Sequence, residues 1–446
     1  MNAFLYNMTM TGRLLFKRGP AFYRSLEELM RYTELDALQR RVEQLRLLGL
    51  TLHAARRAPH YAASLSRIAQ VDTPIELLKA LPYLAKETVR SEPGAFLTGL
   101  HPRFTAHTSG TTGTPIELKR SLHCIAREEA GMTAWYRSAG WSPDDMLLVL
   151  RGDLVIPAGQ SGPPYAVRDR VFNRLVFSSY HMADRTLHWY IEQMRASGAR
   201  FLSAYPSAAH VLAEFMQRTG REPLALKAVF LASETVHETH AELIARYLGP
   251  VHAHYGNAER VAWMTTCSAG RYHEDTSYGL TEYVPAGDGL HEIVATGFVN
   301  DAMPLLRYRT GDMAVEPFTW EQFCPCGRPG PGCRQIVGRI DDLVVTLDGR
   351  RIGRLDHVFK GVRHVVAAQI VQHAPDRIEV RVVPGQSFAA ADEQAIAANL
   401  AARVGPAMHI GITRVPAIPR THAGKFRAVA GLAAQRAQNE ETDARS

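Results

Sequence analysis

The sequence predicts an α/β protein of two domains: a large N-terminal domain with helix-covered β-sheets and a small, mobile C-terminal α+β domain. Three observations predict it. The chain has 446 residues, beyond the size at which one hydrophobic core keeps growing. Between residues 146 and 254 short apolar runs alternate with helical spacing, the pattern of a parallel sheet covered by helices. Near residue 340 the texture changes to short strands around one helix. The expected boundaries are 1–338 for the large domain and 339–433 for the small one. The polar remainder, 434–446, reads as disordered.

Each element follows from local pattern. Leu26, Leu29, Leu35, Leu38, Val42, Leu45 and Leu48 recur at helical spacing and predict one long helix, or a broken pair, over 25–57. Pro82 closes the next short unit, and a glycine-rich loop follows at 109–115. A strand is expected at 147–150. Asp184 is expected to cap a helix that stops at Gly198, and Pro206 opens another that ends near Gly220. Then come a buried strand at 227–232, a helix at 238–247 ending at Gly249, and a strand at 251–254. In the small domain, strands at 364–372, 378–383 and 412–418 surround a helix at 391–404.

Composition narrows the classes of function. Apolar residues make up 46% and charged residues 21%, ordinary for a globular domain. No apolar run approaches the length of a membrane span. The first twenty residues are interrupted by Asn7, Thr9, Arg13 and Lys17, unlike a signal peptide. The chain therefore reads as cytoplasmic, with no membrane partner. The net charge of +7 comes from basic residues spread along the chain, not gathered in a stripe, so no nucleic-acid partner is expected.

Two constellations carry chemistry. The first is Thr108-Ser109-Gly110-Thr111-Thr112-Gly113-Thr114-Pro115. Small residues let a backbone turn tightly enough to aim successive N–H groups at one anion, and the hydroxyls add donors. It is not a Walker loop, because no Lys-Ser or Lys-Thr follows the second glycine. Taken alone, it is either a phosphate cradle or a surface turn rich in small polar residues. The second is Cys267 with His273, followed by Cys324-Pro325-Cys326-Gly327 and Cys333. Four of the five cysteines fall between 267 and 333, which points to a local metal site more than to a disulfide framework. Three thiolates and one imidazole suit a closed tetrahedral zinc site. Buried free thiols are the alternative, and Cys124 reads as a core residue.

The phosphate-like loop resembles that of the adenylate-forming superfamily: acyl-CoA synthetases, peptide-synthetase adenylation domains and luciferases. Four more segments match in order. Tyr255-Gly256-Asn257-Ala258-Glu259 is similar to the segment whose glutamate holds Mg²⁺ and whose aromatic ring lines the adenine and acyl pocket. Arg307-Tyr308-Arg309-Thr310-Gly311-Asp312 resembles the one whose aspartate grips both ribose hydroxyls. Gly338-Arg339-Ile340-Asp341-Asp342 resembles the interdomain hinge, and Gly424-Lys425-Phe426-Arg427 the loop that delivers a catalytic lysine. Within the superfamily the sequence is similar to the phenylacetate-CoA ligase and CapK-like branch. Ala58-Pro59-His60-Tyr61, Leu81-Pro82-Tyr83-Leu84-Ala85-Lys86, Ala204-Tyr205-Pro206-Ser207, Leu231-Ala232-Ser233-Glu234-Thr235, Asp348-Gly349-Arg350 and the Cys-Pro-Cys-Gly turn carry that likeness.

The resemblance implies a role for each residue. Attack of a carboxylate on the α-phosphate of ATP builds negative charge that preorganised cations stabilise. Lys425 is the implied catalytic cation, with Glu259 holding Mg²⁺ and Arg339 touching phosphate or ribose. Thr108, Ser109, Gly110, Thr111, Thr112 and Gly113 would hold phosphates. Ala232, Ser233, Glu234, Tyr255, Gly256 and Asn257 would surround the nucleotide, and Asp312 its ribose. Asp341 is the implied hinge. Tyr205, His254 and Tyr255 line the implied acyl pocket, although His254 reads equally as a packed core histidine. Cys267, His273, Cys324 and Cys326 are the implied structural zinc ligands. One departure stands out: Ala258 occupies a position where the family carries a threonine, whose hydroxyl offers one contact to the α-phosphate.

The expected activity is activation of an aryl or acyl carboxylic acid as its acyl-AMP, followed by transfer to a thiol. The co-substrate is coenzyme A or a carrier protein. An amide-forming synthetase and a non-catalytic nucleotide- or acyl-binding paralogue are the alternatives. The expected partners are small molecules, with a second copy in a homodimer as the one further assembly considered.

Overall fold

The computed structural model describes residues 8–12, 14, 17–68, 73–100, 103–107, 116–152, 155–157, 160, 162–339, 344–347, 351–352, 355–359, 362, 364–419 and 426–432. The N-terminal apolar spacing resolves into the broken pair, α1 (Pro20–Glu34) and α2 (Ala37–Ala55). Asp36 makes the break. Its carboxylate accepts the Gln39 N–H at 2.8 Å while the Gln39 side chain accepts the Asp36 N–H at 3.0 Å, a reciprocal cap that starts a new helix. Phe22, Leu26 and Leu29 of α1 pack on Ala126 and Ala130 of α3 (Leu122–Ser138).

β1 (Arg103–His107) and β2 (Glu117–Ser121) pair antiparallel on either side of the glycine-rich loop. The main sheet follows. Its first six strands are β3 (Leu147–Arg151), β4 (Ala166–Asp169), β5 (Arg174–Ser178), β6 (Phe201–Ala204), β7 (Ala228–Ala232) and β8 (Val251–Gly256). The next six are β9 (Trp263–Thr266), β10 (Tyr272–Glu274), β11 (Gly279–Gly287), β12 (Leu290–Gly297), β13 (Tyr308–Phe318) and β14 (Gly332–Arg339). Together these make one twelve-stranded sheet in the order β11-β12-β13-β14-β10-β9-β8-β7-β6-β3-β5-β4.

The β8, β7, β6, β3 and β5 strands run parallel, as the strand–helix alternation predicts. Their connections include α4 (Asp184–Ala196), α5 (Pro206–Arg218) and α6 (Glu238–Tyr247). From β8 to β11 every neighbouring pair is antiparallel. The sequence reading did not place that half, because its strands alternate polar and apolar residues without helices between them.

Two expectations need correction. Asp184 is the first residue of α4, not its cap; Ala183 holds that position, with its N–H donated to Thr186 Oγ1 at 3.0 Å. Asp184 instead takes Arg218 at 2.8 Å. The strand expected at 412–418 is His409–Arg414, because Pro416 removes a donor and ends the ladder.

Beyond β14 the strands leave the main sheet. β15 (Val344–Val345) and β16 (Arg351–Ile352) form a short hairpin. β17 (Val365–Ala374), β18 (Arg377–Pro384), β19 (His409–Arg414) and β20 (Val429–Ala430) form a separate sheet in the order β19-β18-β17-β20. Helix α7 (Ala390–Val404) covers it, burying Ile396 and Leu400 against Ile378, Val380 and Val382. Among the described residues no helix is long and apolar enough to cross a membrane.

Candidate active site

The carboxyl ends of β7 and β8 open onto a cavity of about 1450 Å³, where open α/β sheets bind their ligands. Segments 232–234 and 254–260 line it with Asp312, as do Phe359, Val365, Phe426 and Arg427. The cavity is therefore bounded by both sheets.

At the end of β7 the chain turns sharply. Ser233 has φ of 75°, a left-handed conformation costly for a residue with a Cβ. The turn sends Glu234 toward the start of α5, where one carboxylate oxygen accepts the Ser207 N–H at 3.0 Å. The other accepts the Phe426 N–H at 2.9 Å. A carboxylate at a helix N-terminus meets unsatisfied donors and a favourable dipole. Here it also clasps the residue that follows Lys425.

Two tyrosine hydroxyls aim the site's carboxylates. Tyr255 donates to Asp312 Oδ2 at 2.7 Å, and Tyr308 donates to Glu259 Oε1 at 2.7 Å. Glu259 is 7% exposed and Tyr308 fully buried. Burial, and then the Asp312 charge, hold the Tyr255 hydroxyl well above its usual range, so it stays a donor. Asp312 follows Gly311, whose φ of 73° turns the strand. Its own N–H goes to Thr310 Oγ1 at 3.0 Å, and Thr310 donates to Ile293 O at 2.7 Å.

The arginines of that segment are structural. Arg307 forms a two-point pair with Glu282 at 2.9 and 2.6 Å, and lies 4.1 Å over the Tyr83 ring. Arg309 pairs with Glu292. The N-terminal segments brace the same strand. Leu84 joins β13 by a bridge at Tyr308, exchanging bonds with Arg307 O and Arg309 N at 2.9 Å each. Lys86 donates to Thr310 O at 3.2 Å, and Tyr61 accepts the Leu306 N–H at 3.1 Å. These two tyrosine contacts and the Leu84 bridge were missed at the level of sequence. Tyr61, Tyr308 and Leu84 all lie inside quoted motifs, so motif membership was the available signal.

His254 lines the cavity between Trp135 and Trp263, with ring centroids at 5.3 and 4.0 Å. Its Nε2 is buried without a hydrogen-bond partner. Burial, with Arg151 and Arg260 nearby, lowers its pKa to about 3, so the ring is neutral. A Cβ at Gly256 would sit 2.8 Å from that ring, which explains the glycine. Ala258 lines the cavity too, its carbonyl accepting Arg120 Nη2 at 2.5 Å. Ala232, Ser233, Glu234, Tyr255, Gly256, Asn257, Glu259 and Asp312 are thus brought together. Tyr205 is not: it precedes α5 and packs with the apolar cluster of Leu150, Ala209 and Leu231. Residues 108–115, 340–343 and Lys425, with the Arg339 side chain, lie outside the described residues, as do 348–350 and the tail from 433.

The cysteines gather elsewhere on the antiparallel half. Cys267 turns away from β9, its N–H bonded to Arg271 O at 2.9 Å, and His273 sits fully buried on β10. Cys324 and Cys326 come from the β13–β14 connection, where the Gly327 N–H meets Cys324 O at 2.9 Å and the Arg328 N–H meets Cys326 Sγ at 3.3 Å. The four ligand atoms lie within 4.8 Å of one another. Cys267 and Cys324 sulfurs are 3.9 Å apart, and Cys326 Sγ is 3.5 Å from His273 Nε2. A tetrahedron with zinc–sulfur bonds of about 2.3 Å has edges of about 3.8 Å, so donor set and spacing both fit zinc. Cys333 is buried on β14 outside this set, and Cys124 is buried in the core of α3.

Residues 344–431 match the family described as the CapK C-terminal domain. Protein CapK of Staphylococcus aureus is 23% identical over 323 residues, 69% of each chain. Phenylacetate-coenzyme A ligase of Thermus thermophilus is 27% identical over 345 residues, 71% of this chain and 75% of that one. Among solved structures, 2-hydroxyisobutyryl-CoA ligase in its postadenylation state, bound to R3-HIB-AMP, superposes with a TM-score of 0.63 at 19% identity, covering 92% and 94% of the two chains. The fold is that of the adenylate-forming ligases. Over residues 344–431 the chain is similar to the CapK C-terminal domain, and over about seven-tenths of its length to CapK and phenylacetate-coenzyme A ligase.

Proposed function

We propose that this chain activates a carboxylic acid with ATP, releasing pyrophosphate, and passes the acyl group from acyl-AMP to the thiol of coenzyme A. The observation that carries the reading is the convergence of Glu234, Tyr255, Glu259 and Asp312 on one cavity that also meets Phe426, next to Lys425. Asp312, held by Tyr255, accepts the ribose hydroxyls. Glu259 is a buried oxygen donor steadied by Tyr308, suited to Mg²⁺, which would neutralise phosphate charge. The acid's carboxylate oxygen attacks the α-phosphorus and pyrophosphate departs. The thiolate sulfur then attacks the acyl carbon and AMP departs. Lys425 acts in the first step as a compact cation between carboxylate and α-phosphate. The loop at 108–113 holds the departing phosphates, and Arg339 contacts phosphate or ribose.

Residues 1–338 and 339–433 act as the two domains, with Asp341 as pivot; the change of sheet between β14 and β15 supports that division. Cys267, His273, Cys324 and Cys326 hold a structural zinc ion that pins the β13–β14 connection to β9 and β10. The acceptor is tested by loading the enzyme with ATP and an aryl, alkyl or amino acid panel, then adding coenzyme A, a carrier protein or an amine. Thioester formed only with coenzyme A supports the reading. Amide formed in preference to thioester would replace it with an amide-forming synthetase.

A further inference from the structure

Arg151 is the last residue of β3 and lines the cavity. Its Nε and Nη2 are buried and make no hydrogen bond. A guanidinium left so is costly, because each buried donor forfeits water without replacement. Nearby carboxylates are already committed. Glu128 takes Arg260 and the Tyr278 hydroxyl, the latter at 2.7 Å, and Glu129 takes Lys17 at 3.0 Å.

The strand register explains the space in front of Arg151. His254 pairs with Ala232, and one position back Ala253, Leu231, Ala204 and Leu150 form a row across β8, β7, β6 and β3. Side chains alternate faces, so Arg151, Ala232 and His254 lie on the opposite face from that row. That face is covered by α3, whose Met132 and Glu128 also line the cavity. Ala232, on β7, adds only a methyl group to that face. Asn257 Nδ2 and Arg260 Nε, also buried and unpartnered, make this wall rich in donors and poor in acceptors. In the strand order Arg151 lies on the far side of β8 from Asp312 and β13.

We infer that this wall is the distal part of the acid site, and that the substrate carries a second anionic oxygen group that Arg151 binds. The inference rests on the adenylation reading for the role of the first carboxylate. Two oxygens of a carboxylate, phosphonate or sulfonate meet the Arg151 fork, and neutral His254 lies alongside. The donors that the folded chain leaves open are then filled only by the correct acid, a strong basis for discrimination.

The test is calorimetric titration of the full chain with matched pairs: butyrate and succinate, hexanoate and adipate, phenylacetate and 4-carboxyphenylacetate, with 3-phosphonopropionate for the non-carboxylate source. Acid-dependent ATP–pyrophosphate exchange is run on the same set. At least one dianionic member should bind and exchange ten-fold or more better than its partner. Arg151→Gln should bring that ratio to within two-fold while ATP affinity is unchanged, and Arg151→Lys should keep part of it. Preference for the second carboxylate or for the phosphonate identifies the source. Equal or better binding of the monoacids by the wild-type protein overturns the inference, as does a preference that survives Arg151→Gln. Arg151-dependent binding of dianions without exchange would overturn the adenylation reading and leave this one standing. Exchange driven by monoacids alone would do the reverse.

Discussion

The Glu234 carboxylate joins two parts of the molecule that lie more than two hundred residues apart: it accepts the N–H of Ser207 with one oxygen and the N–H of Phe426 with the other. Phe426 follows Lys425, so this contact fixes where the C-terminal loop meets the large sheet.

Glu234→Ala should therefore weaken formation of acyl-AMP more than use of acyl-AMP supplied ready-made. Hydrogen bonds to a charged group contribute about 1.5–3 kcal/mol each, so the first half-reaction should slow by about 10- to 100-fold. Glu234→Gln keeps one acceptor oxygen and should fall between. Equal loss in both half-reactions would show that Glu234 serves only the fold.

Tyr255→Phe removes the donor that orients Asp312 without altering the ring. A hydrogen bond to a charged group contributes about 1.5–3 kcal/mol, which predicts a KM for ATP about ten-fold or more higher with kcat little changed. Steady-state kinetics at saturating acid decide it. A fall in kcat alone would move Tyr255 from positioning the ribose to the chemical step.

The thiol cluster predicts one zinc per chain by elemental analysis of freshly purified protein. Cys324→Ser and Cys326→Ser should lower zinc content and the melting temperature together, because a structural ion binds only the folded state. Cys333→Ser should leave the zinc in place. Zinc-free wild-type protein of unchanged melting temperature would contradict the site.

Glu214 on α5 gives a pH signature. Burial, opposed by Arg218, raises its carboxyl to about 7 from the ordinary 4.5. The folded chain keeps this proton between pH 4.5 and 7 while the unfolded chain has released it, so this group lowers stability as pH rises through that window. Glu214→Gln should raise the melting temperature at pH 8 and change it little at pH 4.5. A difference that is constant across that range would show that Glu214 is not protonated in the folded protein.

The sequence was informative where residues are punctuated or chemically distinctive. Pro206 and Gly249 marked helix ends through backbone geometry, whereas the Asp36 cap that breaks the N-terminal pair emerged only in the fold. Cys267, His273, Cys324 and Cys326 were legible as a set because few other roles suit three thiols and an imidazole at that spacing, and Cys333 falls outside it. The antiparallel half of the sheet was not legible, since its pairing joins strands as far apart in sequence as β10 and β14. Tyr205 immediately precedes α5 and packs, partly buried, against the apolar cluster under the sheet, which its motif did not indicate. Arg151 carried no motif at all. Its meaning comes from the buried donors that only the folded chain displays, two strands from Ala232 on β7 and three from His254 on β8.

Acid-dependent ATP–pyrophosphate exchange measures formation of acyl-AMP alone, apart from any acceptor. The wild-type protein should exchange label with at least one acid of an aryl, alkyl, amino and dicarboxylic panel. Lys425→Ala should abolish the exchange by removing the cation that acts in the transition state, with ATP binding largely kept. No exchange with any acid would contradict adenylation by this chain, and full exchange in Lys425→Ala would contradict the role of Lys425.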